Sequence, residues 1–309
     1  MTSRLKSVLF SVFKKAYKLL GGTGVQKVPG VLAAKSFLFQ LLWPNKSSIV
    51  EIQGSKMYVN PEGLPKGFKN TFQAYIVRNG WEELTTEMFK KVVKKGDIVV
   101  DLGANIGYFS LLAARLVGSE GKVYAFEPEP RNYSLLLKNM ELNGYDNIVP
   151  VPKAVSNVSG TIRFFLHSKD TGAHTIYQPL HGEREFKESI EVQAVTLDEF
   201  FKGKEHPIDV IKMDIEGAET EALLGMDRII SENENLKMFI EFHPPGIKRS
   251  GDSLLGFARR LLEGYHFSVL AIGDYARGKK YLKINTVDEL MNFCRGGRTV
   301  NLFVEKSGR

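Results

Sequence analysis

A single cysteine, Cys294, stands in 309 residues, so the chain can form no intramolecular disulfide and no zinc site built on cysteine pairs. That scarcity suits a reducing compartment. No apolar run reaches the roughly 20 residues needed to span a bilayer; the segment from Val31 to Trp43 is interrupted by Lys35 and closed by Pro44. Lys14 and Lys15 break any signal-peptide core, which argues against secretion and for a cytoplasmic location. Internal repeats and low-complexity tracts are also lacking, so the 43% apolar content is available to one large core or a core with a small appendage.

The formal charge of +7 would suggest a nucleic-acid partner if it were spread over the chain. It is not spread. Residues 1–60 hold nine basic side chains against the single acid Glu51, while the other 249 residues hold 33 basic and 34 acidic ones. Within the front end, Leu5, Val8, Leu9, Val12, Phe13, Ala16 and Leu20 share one helical face, and Arg4, Ser7, Ser11, Lys15 and Lys18 the other. The pattern predicts a basic amphipathic extension over residues 1–60. Such a helix either lies on an anionic membrane surface through residues 1–45 or docks on the body with its lysines outward. The body, residues 61–309, is nearly neutral and disfavours nucleic acid.

A further absence concerns the run Asp101-Leu102-Gly103-Ala104-Asn105-Ile106-Gly107. It follows the strand-like Asp97 to Val100 and precedes helical spacing predicted over Asn105 to Leu116, a strand-to-helix turn open to close ligand approach. The Gly-x-Gly pair that lets a pyrophosphate touch backbone is missing. Asp101, two positions before the first glycine, would repel a diphosphate and attract an ammonium. Glu127 ends the next strand 20 residues beyond Gly107, the spacing at which a carboxylate reaches a ribose diol. A zwitterionic nucleoside, S-adenosylmethionine, therefore fits better than NAD.

Strands and helices alternate through the body, the pattern of a doubly wound, mostly parallel α/β sheet. The chain opens with a hairpin at Ile49 to Val59 turning at Gly54, and Ile148 to Val155 reads as one strand. The alternation breaks between two strand-like runs, Thr161 to Leu166 and Ile190 to Val195, which flank a long polar loop containing His167, His174 and His181. Those histidines are expected to face solvent or substrate rather than a metal. Ligands in open α/β sheets bind beyond the carboxyl ends of strands. The polar residues there are Lys212, Asp214 and Glu216 after one strand and Glu241 and His243 after another. If the acceptor is a hydroxyl, a general base is needed. His243 is the natural one, with Glu241 to orient it or take the proton itself, and Asp214 as a third candidate. Asp214 and Glu216 could instead hold a divalent cation, although no full ligand set is visible.

The segments Gly96 to Tyr108, Phe126-Glu127-Pro128, Asn139 to Asn143, Ala154-Val155-Ser156, Ile211 to Glu219 and Glu241-Phe242-His243 together resemble the FkbM family of S-adenosylmethionine-dependent methyltransferases, over roughly residues 75 to 272. The resemblance implies a class I methyltransferase fold with a seven-stranded sheet whose last strand is antiparallel, and O-methylation of a small-molecule or glycan hydroxyl. It places Asp101, Gly103, Ala104, Asn105, Gly107 and Tyr108 around the methionine end of the donor. Glu127 and Pro128 fall at the ribose, Ala154 and Val155 beside the adenine, and Asp214 before the methyl. Two alternatives stand beside it. Lys212, Asp214 and Glu241 could serve ribose 2'-O-methylation of nucleic acid, and a donor-binding adaptor could keep the fold without turnover. The Asn/Asp-Pro-Pro-Tyr/Phe tetrapeptide of amino-group methylation is absent, and Cys294 lacks a preceding proline.

Overall fold

The computed structural model describes Leu9, Val12 and residues 48–59, 82–168, 170–179, 182–183, 185–203, 207–273, 281–295 and 297–306. The amphipathic extension expected over residues 1–45 thus lies outside the described residues, apart from Leu9 and Val12, which are helical and exposed. His181 also lies outside them.

The chain opens with the hairpin β1 (Ser48–Ile52) and β2 (Ser55–Val59), which turns through Gln53 and Gly54, both at positive φ, as the sequence suggests. After α1 (Glu83–Val92) come β3 (Ile98–Leu102), α2 (Tyr108–Val117), β4 (Lys122–Phe126), α3 (Pro130–Asn143) and β5 (Ile148–Val151). Next come β6 (Ala154–Val155), β7 (Gly160–His167), β8 (Phe186–Val195), α4 (Leu197–Phe200), β9 (Val210–Met213), α5 (Glu219–Leu224) and α6 (Asp227–Glu232). The remainder is β10 (Lys237–Phe242), α7 (Pro244–Arg249), α8 (Leu254–Arg259), a π-turn at Arg260–Gly264, β11 (Phe267–Ile272), β12 (Tyr281–Ile284), α9 (Val287–Phe293) and β13 (Val300–Lys306).

The central sheet runs β12-β11-β13-β10-β9-β3-β4-β5. From β10 to β5 every neighbouring pair is parallel, while β13 is antiparallel to both its neighbours. Seven of these strands answer the sequence-based expectation. The eighth, β12, pairs antiparallel with β11 at the edge and was missed because Tyr-Leu-Lys-Ile is only four residues long with a polar third position. Strand order reverses between β3 and β9, so the crevice for a ligand opens at their carboxyl ends.

Alternating side chains feed two cores. Val99, Val123, Val210 and Phe239 pack against α1, α2 and the hairpin, while Val100, Leu102, Ile211, Met213 and Ile240 pack beneath α5 to α9. Two boundaries differ from expectation. The helix after the glycine turn begins at Tyr108 rather than Asn105, because Asn105 (φ 51°) and Gly107 (φ 99°) are left-handed and cannot extend an α-helix. The run Ile148 to Val155 is two strands, not one. Pro152 interrupts it, and Ala154–Val155 turns away to join β8 and β7 in a separate three-stranded sheet.

Candidate active site

The parallel register that builds the sheet also builds the site. Asp101 on β3 lies opposite Lys212 on β9, and Lys212 lies opposite Phe239 on β10, all with the side-chain direction that faces α2. One residue pitch beyond the strands come Gly103, Asp214 and His243. Asp214 N–H donates to the Leu102 carbonyl at 3.1 Å, which pulls the β9 turn over the β3 turn. Here glycine is required. A Cβ on Gly103, at φ 80°, would stand 2.0 Å from the Asp214 carbonyl oxygen.

Asp101 is 3% exposed and accepts a 2.5 Å hydrogen bond from Ser110 Oγ on α2. Burial pushes its pKa from the ordinary 3.8 up to about 6, against the opposing pull of Ser110 and of Lys212. Lys212, 1% exposed, has its Nζ 3.3 Å from Asp214 Oδ2, 3.9 Å from Glu82 Oε2 and 5.0 Å from the centre of the Phe109 ring. Burial opposes its charge, but the carboxylates of Asp214, Glu82, Glu241 and Asp101 outweigh burial and hold its pKa above the usual lysine value. Lys212 is therefore a fixed charge beneath the site.

Glu127, at the end of β4, accepts from Asn105 N–H at 2.8 Å and from Glu129 N–H at 2.9 Å, and burial still pushes its pKa up to about 8. Glu129 in turn caps α3 through Asn132 N–H, with Pro130 in the first turn.

Two recesses flank this frame and share Gly103, Asn105, Gly172, Asp214 and Glu216. One is lined by Glu127, Pro128, Ala154, Val155, Phe164 and Ile176, an acid followed by an apolar slot. The other is lined by Asp101, Tyr108, Asp170, Lys212, Asp214 and Glu241. Among the sequence-predicted residues, Gly103, Asn105, Glu127, Pro128, Ala154, Val155 and Asp214 meet in the first recess. Asp101, Gly103, Ala104, Asn105, Tyr108, Lys212, Asp214 and Glu241 meet in the second. Gly107 instead supplies the left-handed turn before α2, where a Cβ would meet the Leu136 side chain at 2.8 Å.

His243 has a different partner from the one expected. Its Nδ1 lies 3.1 Å from Glu216 Oε2, so Glu216 rather than Glu241 is the acid beside it, and Glu241 completes a group of three. Burial opposes protonation of His243, but Glu216 outweighs burial and holds the imidazole pKa above its ordinary value. Burial raises the Glu216 carboxyl too, and burial with the charges of Asp214, Glu216 and Glu82 drives Glu241 well above the usual range. All three groups thus hold their protons more tightly than they would in water.

The segment 170–176, unread in the sequence, straps the two recesses together. Asn105 Nδ2 and Asn132 Nδ2 both donate to the Thr171 carbonyl, at 3.1 and 3.0 Å, and buried Thr175 donates from Oγ1 to the Glu216 carbonyl at 3.2 Å. His174, in the wall of the apolar slot, is held neutral. Burial, then the charges of His167 and Arg131, lower its pKa to about 4, and its Nδ1 accepts the His167 N–H at 2.9 Å. The proton of the neutral ring is therefore on Nε2. Asparagines after an acidic turn carry no periodic signal, so neither Asn132 nor the strap could be found from pattern alone.

The sequence model of the methyltransferase FkbM domain matches residues 101–269, from Asp101 to the end of this constellation. The chain belongs to the FkbM methyltransferase family. Its methyl donor is S-adenosylmethionine, and it is an enzyme of the transferase class. Among curated relatives, methyltransferase sdnD of Sordaria araneosa is 29% identical over 185 residues, covering 51% of this chain and 71% of sdnD. Hexuronic acid methyltransferase AglP of Haloferax volcanii is 26% identical over 169 residues, covering 52% of this chain and 65% of AglP. The crystal structure of methyltransferase FkbM from Methylobacillus flagellatus is similar over 75% of this chain and 52% of that one, at 17% identity and a TM-score of 0.40. The residues present fit the donor: a buried acid without a complete counter-charge stands at one end of the cleft, and an acid followed by an apolar slot at the other.

Proposed function

We propose that this FkbM methyltransferase transfers methyl to a hydroxyl oxygen of a small molecule or glycan. The observation that carries the reading is the His243–Glu216 pair, 3.1 Å apart, of which Glu216 lines the recess containing Asp101 and Asp214. S-adenosylmethionine, when bound, supplies an electrophilic methyl carbon and a neutral thioether leaving group. Asp101 would hold the ammonium, Glu127 the ribose diol, and Pro128, Ala154, Val155 and Phe164 the adenine. Asp214, which lines both recesses, would orient the acceptor. A hydroxyl is a poor nucleophile until its proton has somewhere to go, and a positioned base typically contributes about 10²- to 10⁴-fold. His243 takes that proton and Glu216 stabilises the imidazolium. Lys212, 1% exposed, is instead paired with Asp214 at 3.3 Å, which counts against the ribose 2'-O-methylation alternative. The name of the AglP relative supports a sugar-type acceptor.

The test is mass spectrometry of products from glycans and hydroxylated metabolites incubated with labelled S-adenosylmethionine. A methyl ether is expected. Label on nitrogen or carbon, or no release of S-adenosylhomocysteine on any acceptor, refutes the reading. We further propose peripheral contact with anionic membrane on the inner face through residues 1–45. Support comes from the nine basic residues of the front end and the exposure of Leu9 (39%) and Val12 (59%). Liposome flotation of the full chain and of one starting at Ile49 tests this, and equal flotation of the two counts against it.

A further inference from the structure

We propose that Glu216, Glu241 and His243 form a binding site for one divalent cation of the Mn²⁺, Fe²⁺ or Zn²⁺ class. Each residue offers one ligand atom, and the three atoms lie within 4.8 Å of one another. Donors around a single ion at about 2.0 to 2.2 Å stand roughly 3 to 4 Å apart, a separation that Glu216 Oε2 and His243 Nδ1 already have at 3.1 Å. Two carboxylates and an imidazole, with no thiolate, suit a borderline divalent ion.

Three other observations point the same way. His243 Nδ1 is buried, and its contact with Glu216 Oε2 at 3.1 Å is an ion pair without well-directed hydrogen-bond geometry. The recess that Glu216 and Glu241 enter is lined by five carboxylates, Asp101, Asp170, Asp214, Glu216 and Glu241, against the one ammonium of Lys212. A cation would relieve that excess. The backbone is also shaped to bring the ligands together. Glu216 (φ 55°) and Gly217 (φ 102°) are left-handed, a Cβ on Gly217 would stand 2.5 Å from the Gly246 carbonyl carbon, and one on Gly246 would stand 2.9 Å from His243 Nδ1. Only glycine at both positions lets the Glu216 turn approach the His243 turn this closely.

Three protein ligands leave coordination positions open toward the recess. A bound cation would hold the acceptor hydroxyl and lower its pKa, taking over from His243, which as a ligand would no longer serve as the base. This use rests on the O-methylation reading above, whereas binding of the cation does not, and so the two can fail separately.

The experiment uses tag-free full-length chain freed of metal with EDTA, titrated with Mn²⁺ alone. Electron paramagnetic resonance reports free ion, and calorimetry gives the stoichiometry. One Mn²⁺ per chain is expected, with Glu241→Gln and His243→Gln weakening it about 10-fold or more, while the exposed Asp146→Asn leaves it unchanged. Retained S-adenosylhomocysteine binding shows that each variant is folded. No binding at millimolar Mn²⁺, or binding indifferent to both substitutions, overturns the proposal. Should a variant fail to fold, Co²⁺ added to the unaltered chain decides the matter. Visible ligand-field bands displaced by Zn²⁺ are expected, and their absence overturns the site.

Discussion

Replacing Asp101 by asparagine should make the ligand-free protein more stable and at the same time abolish its response to cofactor. Asp101 is 3% exposed, and its pKa rises from 3.8 to about 6 because burial disfavours the charged form. A shift of about 2 pK units, at 1.36 kcal/mol each, means that holding the carboxylate ionised in the fold costs about 3 kcal/mol at neutral pH. The sign follows from linkage. Below pH 3.8 the acid is protonated in both folded and unfolded chains and costs nothing; the penalty grows as pH rises toward 6 and is constant above it. Asparagine keeps an oxygen for Ser110 and removes the charge, but it buries an amide group whose hydrogens need partners, so about 3 kcal/mol is a ceiling. For a chain of this size the gain should raise Tm by roughly 5 °C at pH 7.5, and by close to nothing near pH 4. Added S-adenosylhomocysteine, whose ammonium Asp101 is assigned to hold, should raise the Tm of the wild type and leave Asp101→Asn unmoved. Thermal melts with and without ligand at several pH values suffice. An apo Tm at or below wild type at pH 7.5 would refute the electrostatic argument. A preserved ligand shift would refute the cofactor assignment.

Three further outcomes follow from other parts of the site. Glu216→Gln removes the charge that raises the His243 pKa, so the acidic limb of the kcat/KM–pH profile should move to lower pH and kcat should fall; an unmoved limb separates Glu216 from the base. Gly217→Ala, at φ 102° and in collision with the Gly246 backbone, should cost about 2 to 4 kcal/mol in urea unfolding. Gly144→Ala, at φ 63° with nothing within 4 Å, should cost only about 1 kcal/mol, and equal costs would refute the steric reading. Asn139→Ala strips the Ile106 carbonyl and the Tyr58 N–H of partners now 2.8 and 2.6 Å from the Asn139 amide. About 2 kcal/mol of destabilisation and faster proteolysis of the β1–β2 hairpin should follow.

Local chemistry made some of this molecule readable in one dimension. Gly54, with Gln53 before it, turns the hairpin, Thr196 caps α4 by accepting from Glu199 N–H, and Gly103 and Gly107 bend β3 into α2. Each depends on residues within four positions of one another, where backbone conformation and hydrogen bonding need no distant partner. Edges and breaks were less legible. Strand β12 is a short half-polar edge, and the departure of Ala154 and Val155 from β5 depends on β8 some 40 residues away.

By itself the sequence determined the half of the site proposed to hold the donor. Strand, acid, glycine turn, helix and the second acid Glu127 are consecutive, so their meaning survives in linear order. Only the tertiary structure decided the half proposed for the acceptor. Glu216 and His243 are 27 residues apart and meet because β9 and β10 are parallel neighbours and because Gly217 and Gly246 let their following turns touch. Alternation along a strand records which face a side chain takes; it does not record which strand lies alongside, and that choice is what pairs an acid with a histidine.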